Sequence, residues 1–166
     1  MNKYIESFAN FLNEDDWNFS RMETDEVNGL GYLTAKYSGD NCRMDVVFDA
    51  DPEKDLAMVF VYLPVITPEA KRRDMAELVC RINRCMTIGS LELDMDDGDI
   101  RFKVTMDVEG GELAPTMIGN MRDSAIATSD RYYPALMAML YGDKSPQEAL
   151  DFARNNTGRP ADVSVQ

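Results

Sequence analysis

Two short segments that alternate apolar and polar residues constrain the fold of this chain more than any other feature. Residues 89–95 and 99–107 alternate on either side of Asp96-Asp97-Gly98. An Asp-Gly pair supplies the positive φ that a two-residue hairpin turn requires. The inward positions are apolar in both segments: Leu91, Leu93, Ile100, Phe102, Val104 and Met106. This pattern predicts an antiparallel hairpin that buries one face.

A second hairpin and a fifth strand are predicted in the N-terminal half. Residues 29–38 and 42–49 are rich in strand-forming residues, and Gly39-Asp40-Asn41 between them tolerates a tight reversal. Residues 55–63 follow the Asp51-Pro52 turn and are apolar on both faces. A strand of this kind lies in the centre of a sheet, or its second face is covered by something else.

Apolar residues at helical spacing predict helices before, between and after these strands. Residues 2–14 form one amphipathic pattern, with Asn2 as its cap, and residues 68–86 form another, which begins at Thr67-Pro68-Glu69. A longer pattern runs from Leu113 to Leu140, and Pro134 is expected to kink or split it. A capping box at Ser145-Pro146-Gln147-Glu148 opens a final short helix.

The predicted fold class follows from this order of elements, α-βββ-α-ββ-α(α). It is an α+β fold with an antiparallel five-stranded sheet and helices packed on one face. The chain has 166 residues, of which 45% are hydrophobic, enough for one core. We expect a single domain over residues 1–154, and a flexible C-terminal tail over residues 155–166.

The cysteines and the N-terminus indicate where the protein works. Cys42, Cys80 and Cys85 are odd in number and have no paired spacing, so we expect buried thiols and a reducing compartment. The first seventeen residues carry acids and polar groups every few positions and lack the apolar run of a signal peptide or a membrane span. The sequence therefore predicts a cytoplasmic protein without a membrane partner.

Charge and the missing histidines exclude several classes of function. The chain has 30 acidic and 17 basic residues, a formal net charge of −13, which repels a phosphate backbone and argues against nucleic acid as a partner. It has no histidine, the usual general base near neutral pH and the commonest metal ligand. We assign no catalytic, cofactor-binding or metal-binding residues and no cofactor, and we expect a non-enzymatic protein.

Residues 67–150 resemble a known family well, and the N-terminal half resembles it only loosely. The stretch RINRCMTIGSLELDMDDGDIRFKV, and after a helix the stretch SDRYYPALMAMLYGDKSPQEAL, are similar to the bacterial YbjN family of proposed sensory-transduction regulators. The resemblance implies a fold like that of the type III secretion chaperones, small acidic α+β proteins that often dimerise and bind unfolded segments of a partner. It brings no catalytic residues with it.

Clustered acids at the second hairpin support an alternative function. Carboxylates such as Asp94 and Asp96 can hold a divalent ion, as in a small-ligand or metal-dependent enzyme. A calcium-binding loop that began at Asp94 would need an acid or amide at Gly98 and a glutamate at Thr105. Because neither requirement is met, a hairpin turn is the favoured interpretation.

Basic residues on the helix over 68–86 allow two interpretations. The positive side chains are Lys71, Arg72, Arg73, Arg81 and Arg84. A charged helix face is normally the solvated one, and a docking strip for an acidic partner is the alternative.

The apolar strand over 55–63 suggests an interaction surface. Helices on one side of an antiparallel sheet leave the other side open, and an apolar open face indicates an interface. We predict that Val47, Val59 and Val61 line a surface for a homodimer or a protein partner. In the alternative, residues 15–28 with Trp17 and Phe19 cover this face within the same chain.

Overall fold

The computed structural model of the chain describes residues 2–25 and 30–156. Four α-helices and a 3-10 turn have the bounds α1 Lys3–Glu14, 3-10 turn Glu69–Lys71, α2 Arg72–Asn83, α3 Pro115–Tyr141 and α4 Pro146–Asn156. The strands are β1 Phe19–Asp25, β2 Leu30–Ser38, β3 Arg43–Asp51, β4 Leu56–Ile66, β5 Ser90–Leu93 and β6 Asp99–Asp107. The fold is therefore α+β, as the sequence predicts.

All the strands join one antiparallel sheet in the order β1-β2-β3-β4-β6-β5. The sheet has six strands where five are predicted, and the additional one is β1 at the edge. Its sequence, FSRMETD, contains few strand-forming residues, so local propensity does not indicate it. Pairing with β2 stabilises it instead.

The structure confirms the predicted cap of the first helix and contradicts the predicted cap of the second. Asn2 accepts a hydrogen bond from the backbone N–H of Tyr4 at 3.0 Å and caps α1 as predicted. Thr67 does not cap a helix, because its hydroxyl is buried and has no hydrogen-bond partner among the described residues. The chain first makes the 3-10 turn, and α2 begins only at Arg72.

Pro134 lies inside α3, a helix of 27 residues. Of the kink or split predicted at this proline, the split does not occur. A proline leaves the carbonyl four residues earlier without its helical donor, and here that carbonyl belongs to Asp130. The side-chain amide of Asn41 donates to this carbonyl at 3.0 Å. A residue of the β2–β3 turn thus satisfies the acceptor that the proline leaves free.

The second hairpin has a longer turn than the predicted two-residue Asp-Gly type. Its closing bonds join Asp94 N–H to the Asp99 carbonyl at 2.9 Å, and Gly98 N–H to the Asp94 carbonyl at 3.0 Å. Gly98 has the expected positive φ of 85°. It also lies against the Thr67 carbonyl, where a Cβ atom would overlap with the backbone. Close approach adds a second reason for glycine here.

The core lies between one face of the sheet and the helices. Phe8 of α1 packs on Phe48 of β3 with ring centroids 5.3 Å apart. From α4, the buried side chains are Ala149, Leu150 and Ala153. The helix reaches Asn156, so the start of the predicted tail is helical, and residues 157–166 lie outside the described residues.

Over residues 2–25 and 30–156, none of the helices combines the length and the apolar character that crossing a bilayer requires.

Candidate interaction surface

The face of the sheet that points away from the helices carries a continuous apolar group, which we term the open face. It is formed by alternate residues of four neighbouring strands: Met22, Tyr32, Val47, Met58, Phe60 and Tyr62. Among the described residues, none of these six side chains belongs to the core cluster that the sheet forms with the helices. An apolar sheet face outside the core is typical of a binding surface.

Phe60 lies at the centre of the open face. It pairs across strands with Val47 on one side and with Lys103 on the other. Its side chain is only 8% exposed, because Arg101 and Lys103 cover its ring. Their charged groups lie 4.7 Å and 5.9 Å from the ring centroid, within the range of cation–π contacts.

Arg101 is held in place by a network at the β6 side of the open face. Its Nη1 donates to the Tyr62 hydroxyl at 3.2 Å, and its Nε donates to Glu92 at 2.7 Å. Burial acts to lower the pKa of Arg101, but the hydrogen bonds to Tyr62 and Glu92 outweigh burial and the pKa is raised. The guanidinium therefore stays charged beside the aromatic rings.

The centre of the open face carries equal numbers of bases and acids, whereas the whole chain has a net charge of −13. Three bases and three acids lie next to the apolar group: Lys36, Arg101 and Lys103, with Asp45, Asp49 and Glu92. Arg43, Asp51 and Asp107 lie on the same face at its margins. The two aspartates lie on β3, and two of the bases lie on β6, with β4 between these strands. Burial raises the pKa of Asp49, which lies between apolar neighbours.

The structure brings only one of the predicted surface residues to the open face. Val47 lies there and is partly exposed. Val59 and Val61 lie on the opposite face of β4, with 0% of each side chain exposed, and pack in the core. The alternation of a strand makes this necessary, because Val47 pairs with Phe60 and both side chains point to the same side.

The outward residues Phe60, Arg101 and Lys103 were missed as surface residues, although the sequence contains a signal for them. The alternation over 99–107 that places Phe102 and Val104 inward also places Arg101 and Lys103 outward. The register between β4 and β6, which sets these bases beside Phe60, is not visible in either strand alone.

Trp17 and Phe19, the residues expected to cover this face in the alternative, pack against the core cluster on the helix side. Trp17 stacks on Tyr37 with ring centroids 5.6 Å apart. Residues 19–25 form the edge strand β1, and residues 26–29 lie outside the described residues. The described part of this segment therefore leaves the centre of the open face uncovered.

The acids of the second hairpin bind their own turn. Asp94 and Asp97 accept hydrogen bonds from the backbone N–H groups of Asp96 and Asp99, at 2.7 and 2.8 Å. Burial, with the charge of Asp97, raises the pKa of Asp99. Within the described ranges, no group of three or more acids, cysteines or histidines is arranged to hold a metal ion.

Three of the five basic residues around α2 bind groups of the same chain. Lys71 Nζ donates to the carbonyls of Met139 and Leu140 at the end of α3, at 3.2 and 2.6 Å. Arg72 donates to carbonyls of the second hairpin loop, and Arg81 binds a carboxylate of α2. Because these three side chains bind groups of the same chain, most of the positive charge is not free to bind an acidic partner. The structure therefore argues against a docking strip on this helix.

The three cysteines are free, and they differ in their surroundings. Cys42 is half-buried, and burial, with the charge of Asp130, raises its pKa to about 12. Cys80 is exposed, contrary to the prediction of buried thiols, because its position on α2 faces away from the core. Cys85 accepts a hydrogen bond from Arg154 at 3.0 Å.

Known proteins match the chain at the level of family and of fold. The model of the YbjN family, described as "Putative bacterial sensory transduction regulator", matches residues 5–138. The crystal structure of YbjN from E. coli, described as "a putative transcription regulator", superposes with a TM-score of 0.52 and 13% sequence identity, over 75% of this chain and 85% of that chain. No curated protein matches.

The solved structure supports the fold, and the family match extends over most of the chain. The family description fits a regulatory or interaction role. The chain belongs to the YbjN family.

Proposed function

We propose that this chain is a non-enzymatic regulatory domain that forms a homodimer through its open face and acts by binding a protein partner. The observation that carries the proposal is the apolar sheet face around Phe60, where Val47, Met58 and Tyr62 are partly exposed and lie outside the core cluster. The free energy falls when a second surface covers an apolar sheet face and removes it from water.

The charge pattern favours a second copy of the same chain as the protein that covers the open face. Consider a two-fold axis that runs parallel to β4, between the open faces of two copies. It would place β3 of each copy over β6 of the other copy. By the register of β3, β4 and β6, Asp45 of each copy would then lie opposite Arg101 of its partner, and Asp49 opposite Thr105, next to Lys103 on the same face. The acidic chain repels its own copy, so the centre of the open face, where bases and acids are equal in number, is the region where self-association costs least.

The regulatory part of the proposal rests on the family. A protein that regulates without catalysis acts by binding. The family resemblance of the sequence implies a chaperone-like fold, and by analogy this supports binding to another protein. A cytoplasmic location, which the odd number of cysteines favours, fits a partner inside the cell.

Sedimentation velocity of the wild type and two charge variants tests the homodimer. We expect the wild type to sediment at twice the monomer mass of 18.7 kDa. Val47→Glu buries a charge in the proposed interface and should give a monomer that still folds, because Val47 is partly exposed and lies outside the core.

Tyr141→Glu is the matched control, since Tyr141 is 78% exposed at the end of α3, away from the open face. This variant should remain a dimer. A monomeric wild type at about 100 μM, or a dimer that survives Val47→Glu with unchanged affinity, would show that the open face is not the interface.

A further inference from the structure

Asp49 is a half-buried carboxylate of the open face, and no ion pair joins it to a base in the described part of the chain. Met58 of β4 lies directly across from it, and the register of β2 and β3 brings Tyr32 to its other side. Its carboxylate accepts a hydrogen bond from the backbone N–H of Ala50 at 2.7 Å. Burial raises the pKa of this carboxyl, and the charge of Asp51 adds to the effect.

The bases around Asp49 are engaged in other contacts. Lys54 lies just after β3, and its ammonium group binds Asp51 at 2.6 Å. Lys103 lies on β6, and its ammonium group lies 3.8 Å from the carboxylate of Glu92. Glu92 belongs to β5, on the far side of β6 from β3, so this contact draws Lys103 away from Asp49. The charge of Asp49 therefore depends on water for its stabilisation.

In the two-fold arrangement of the open faces, carboxylates of the two copies meet at this end of the sheet. The strand register aligns Asp51, Leu56 and Asp107 in one row, so Asp51 of each copy would lie opposite Asp107 of its partner. Asp49, in the adjacent row, would lie opposite Thr105, which has a hydroxyl group but no positive charge. Association would thus remove water from Asp49 and bring another carboxylate close to it.

A carboxylate that loses water and gains a negative neighbour binds a proton more tightly. On the basis of the proposed homodimer, we propose that pH controls the association: two copies bind each other more tightly as the pH falls, because Asp49 of each copy takes up a proton from the solvent in the interface. By linkage, this contribution is present while the carboxyl of the dimer is protonated, and it is lost as the pH rises and the proton leaves.

Sedimentation equilibrium over a range of pH measures the effect as a change in the dissociation constant of the dimer. For the wild type, we expect this constant to be at least about tenfold lower at pH ~5 than at pH ~8. A fall in pH also weakens the general repulsion between two acidic chains, so variants must separate the two causes.

Asp49→Asn removes the proton-binding group and keeps the size of the side chain. At pH ~8 this variant should dimerise about tenfold more tightly than the wild type, and its dissociation constant should change less with pH. Asp151→Asn is the matched control, because it removes the same charge from an exposed position on α4, on the helix side of the sheet. It should keep the pH dependence of the wild type.

Two results would overturn control by pH and leave the homodimer itself in place. One is a wild-type dissociation constant that does not change between pH ~5 and pH ~8, and the other is the same pH dependence in Asp49→Asn as in the wild type. If both proteins stayed monomeric at about 100 μM at every pH, the homodimer and its control by pH would fail together.

Discussion

Asp130 shows how one residue can join two parts of the fold. Its carboxylate accepts the backbone N–H groups of the β2–β3 turn, and its carbonyl accepts the Asn41 amide that compensates for Pro134. The turn thus rests on the middle of α3, a helix that lies 89 residues further along the chain. Gly39 permits this approach, because a Cβ atom there would overlap with the Asp130 carboxylate.

Replacing Gly39 by alanine should separate the turn from α3. We expect Gly39→Ala to lower the free energy of unfolding by about 1–3 kcal/mol, because a methyl group has no space beside Asp130. Urea denaturation measures the loss. Gly111→Ala is the control, since the nearest atom to its new Cβ lies 3.9 Å away, and it should change stability by less than about 0.5 kcal/mol. Equal losses in the two variants would contradict the close contact.

The sequence indicates only one partner of this junction. Gly39-Asp40-Asn41 is a turn by composition, and the hairpin there is confirmed. Asp130 stands in an apolar helical pattern with nothing to mark it as a hydrogen-bond acceptor for a distant turn. Such a role depends on where α3 crosses the sheet, which only the packed structure defines.

At the scale of the element, strand β3 places two carboxylates on one face in opposite surroundings. Burial raises the pKa of Asp49, whereas Asp51, two residues later, is hydrogen-bonded by the Lys54 ammonium group, which lowers its pKa. In the first case the folded state disfavours the charge, and in the second it favours the charge.

The two aspartates should therefore have opposite effects on stability against pH. For Asp49, the folded-state pKa lies above the ordinary 3.8, so its contribution to stability is lost as pH rises from that value. Asp49→Asn should be more stable than the wild type at pH ~7, and the difference should shrink as pH falls toward 3.8.

Asp51→Asn should be less stable than the wild type near neutral pH, because the folded state loses a favourable charge that acts above the unfolded-state pKa. Thermal denaturation from about pH 4 to pH 8 compares the three proteins. If both variants shifted the melting temperature in the same direction, the assigned surroundings of these carboxylates would be wrong.

Elements with strong periodicity are predicted well, and elements that depend on neighbours are not. The range of β6 matches the predicted 99–107, and the helix after Asn2 is correct. The polar edge strand β1 was missed because its stability comes from β2. Of the kink or split predicted at Pro134, the split does not occur, and a side chain of another element replaces the lost hydrogen bond.

At the scale of the whole molecule, the C-terminal helix is part of the same core as the N-terminal helix. The family match ends at residue 138, before α4 begins. Even so, Leu150 is 3% exposed, and the core cluster that contains it also contains Phe8 and Phe48. A shared core predicts that both ends of the chain unfold together.

Leu150→Ala should lower the free energy of unfolding by about 2–4 kcal/mol, because it leaves a cavity in this shared core. Trp17 fluorescence and far-ultraviolet circular dichroism should show one coincident transition in urea, before and after the change. Asp151→Ala, at an exposed position of the same helix, should stay within about 0.5 kcal/mol of the wild type. Separate transitions would show that α4 forms an independent unit.

The sequence by itself determined the fold class, the family and most helices and strands, because periodicity and turn residues are local properties of the chain. Only the tertiary structure decided which apolar residues of the central strand face outward and which charges surround them. Val59 and Phe60 are neighbours with similar hydrophobicity, and the register of β3, β4 and β6 sends them to opposite sides. Register is a relation between strands, so no single segment contains it.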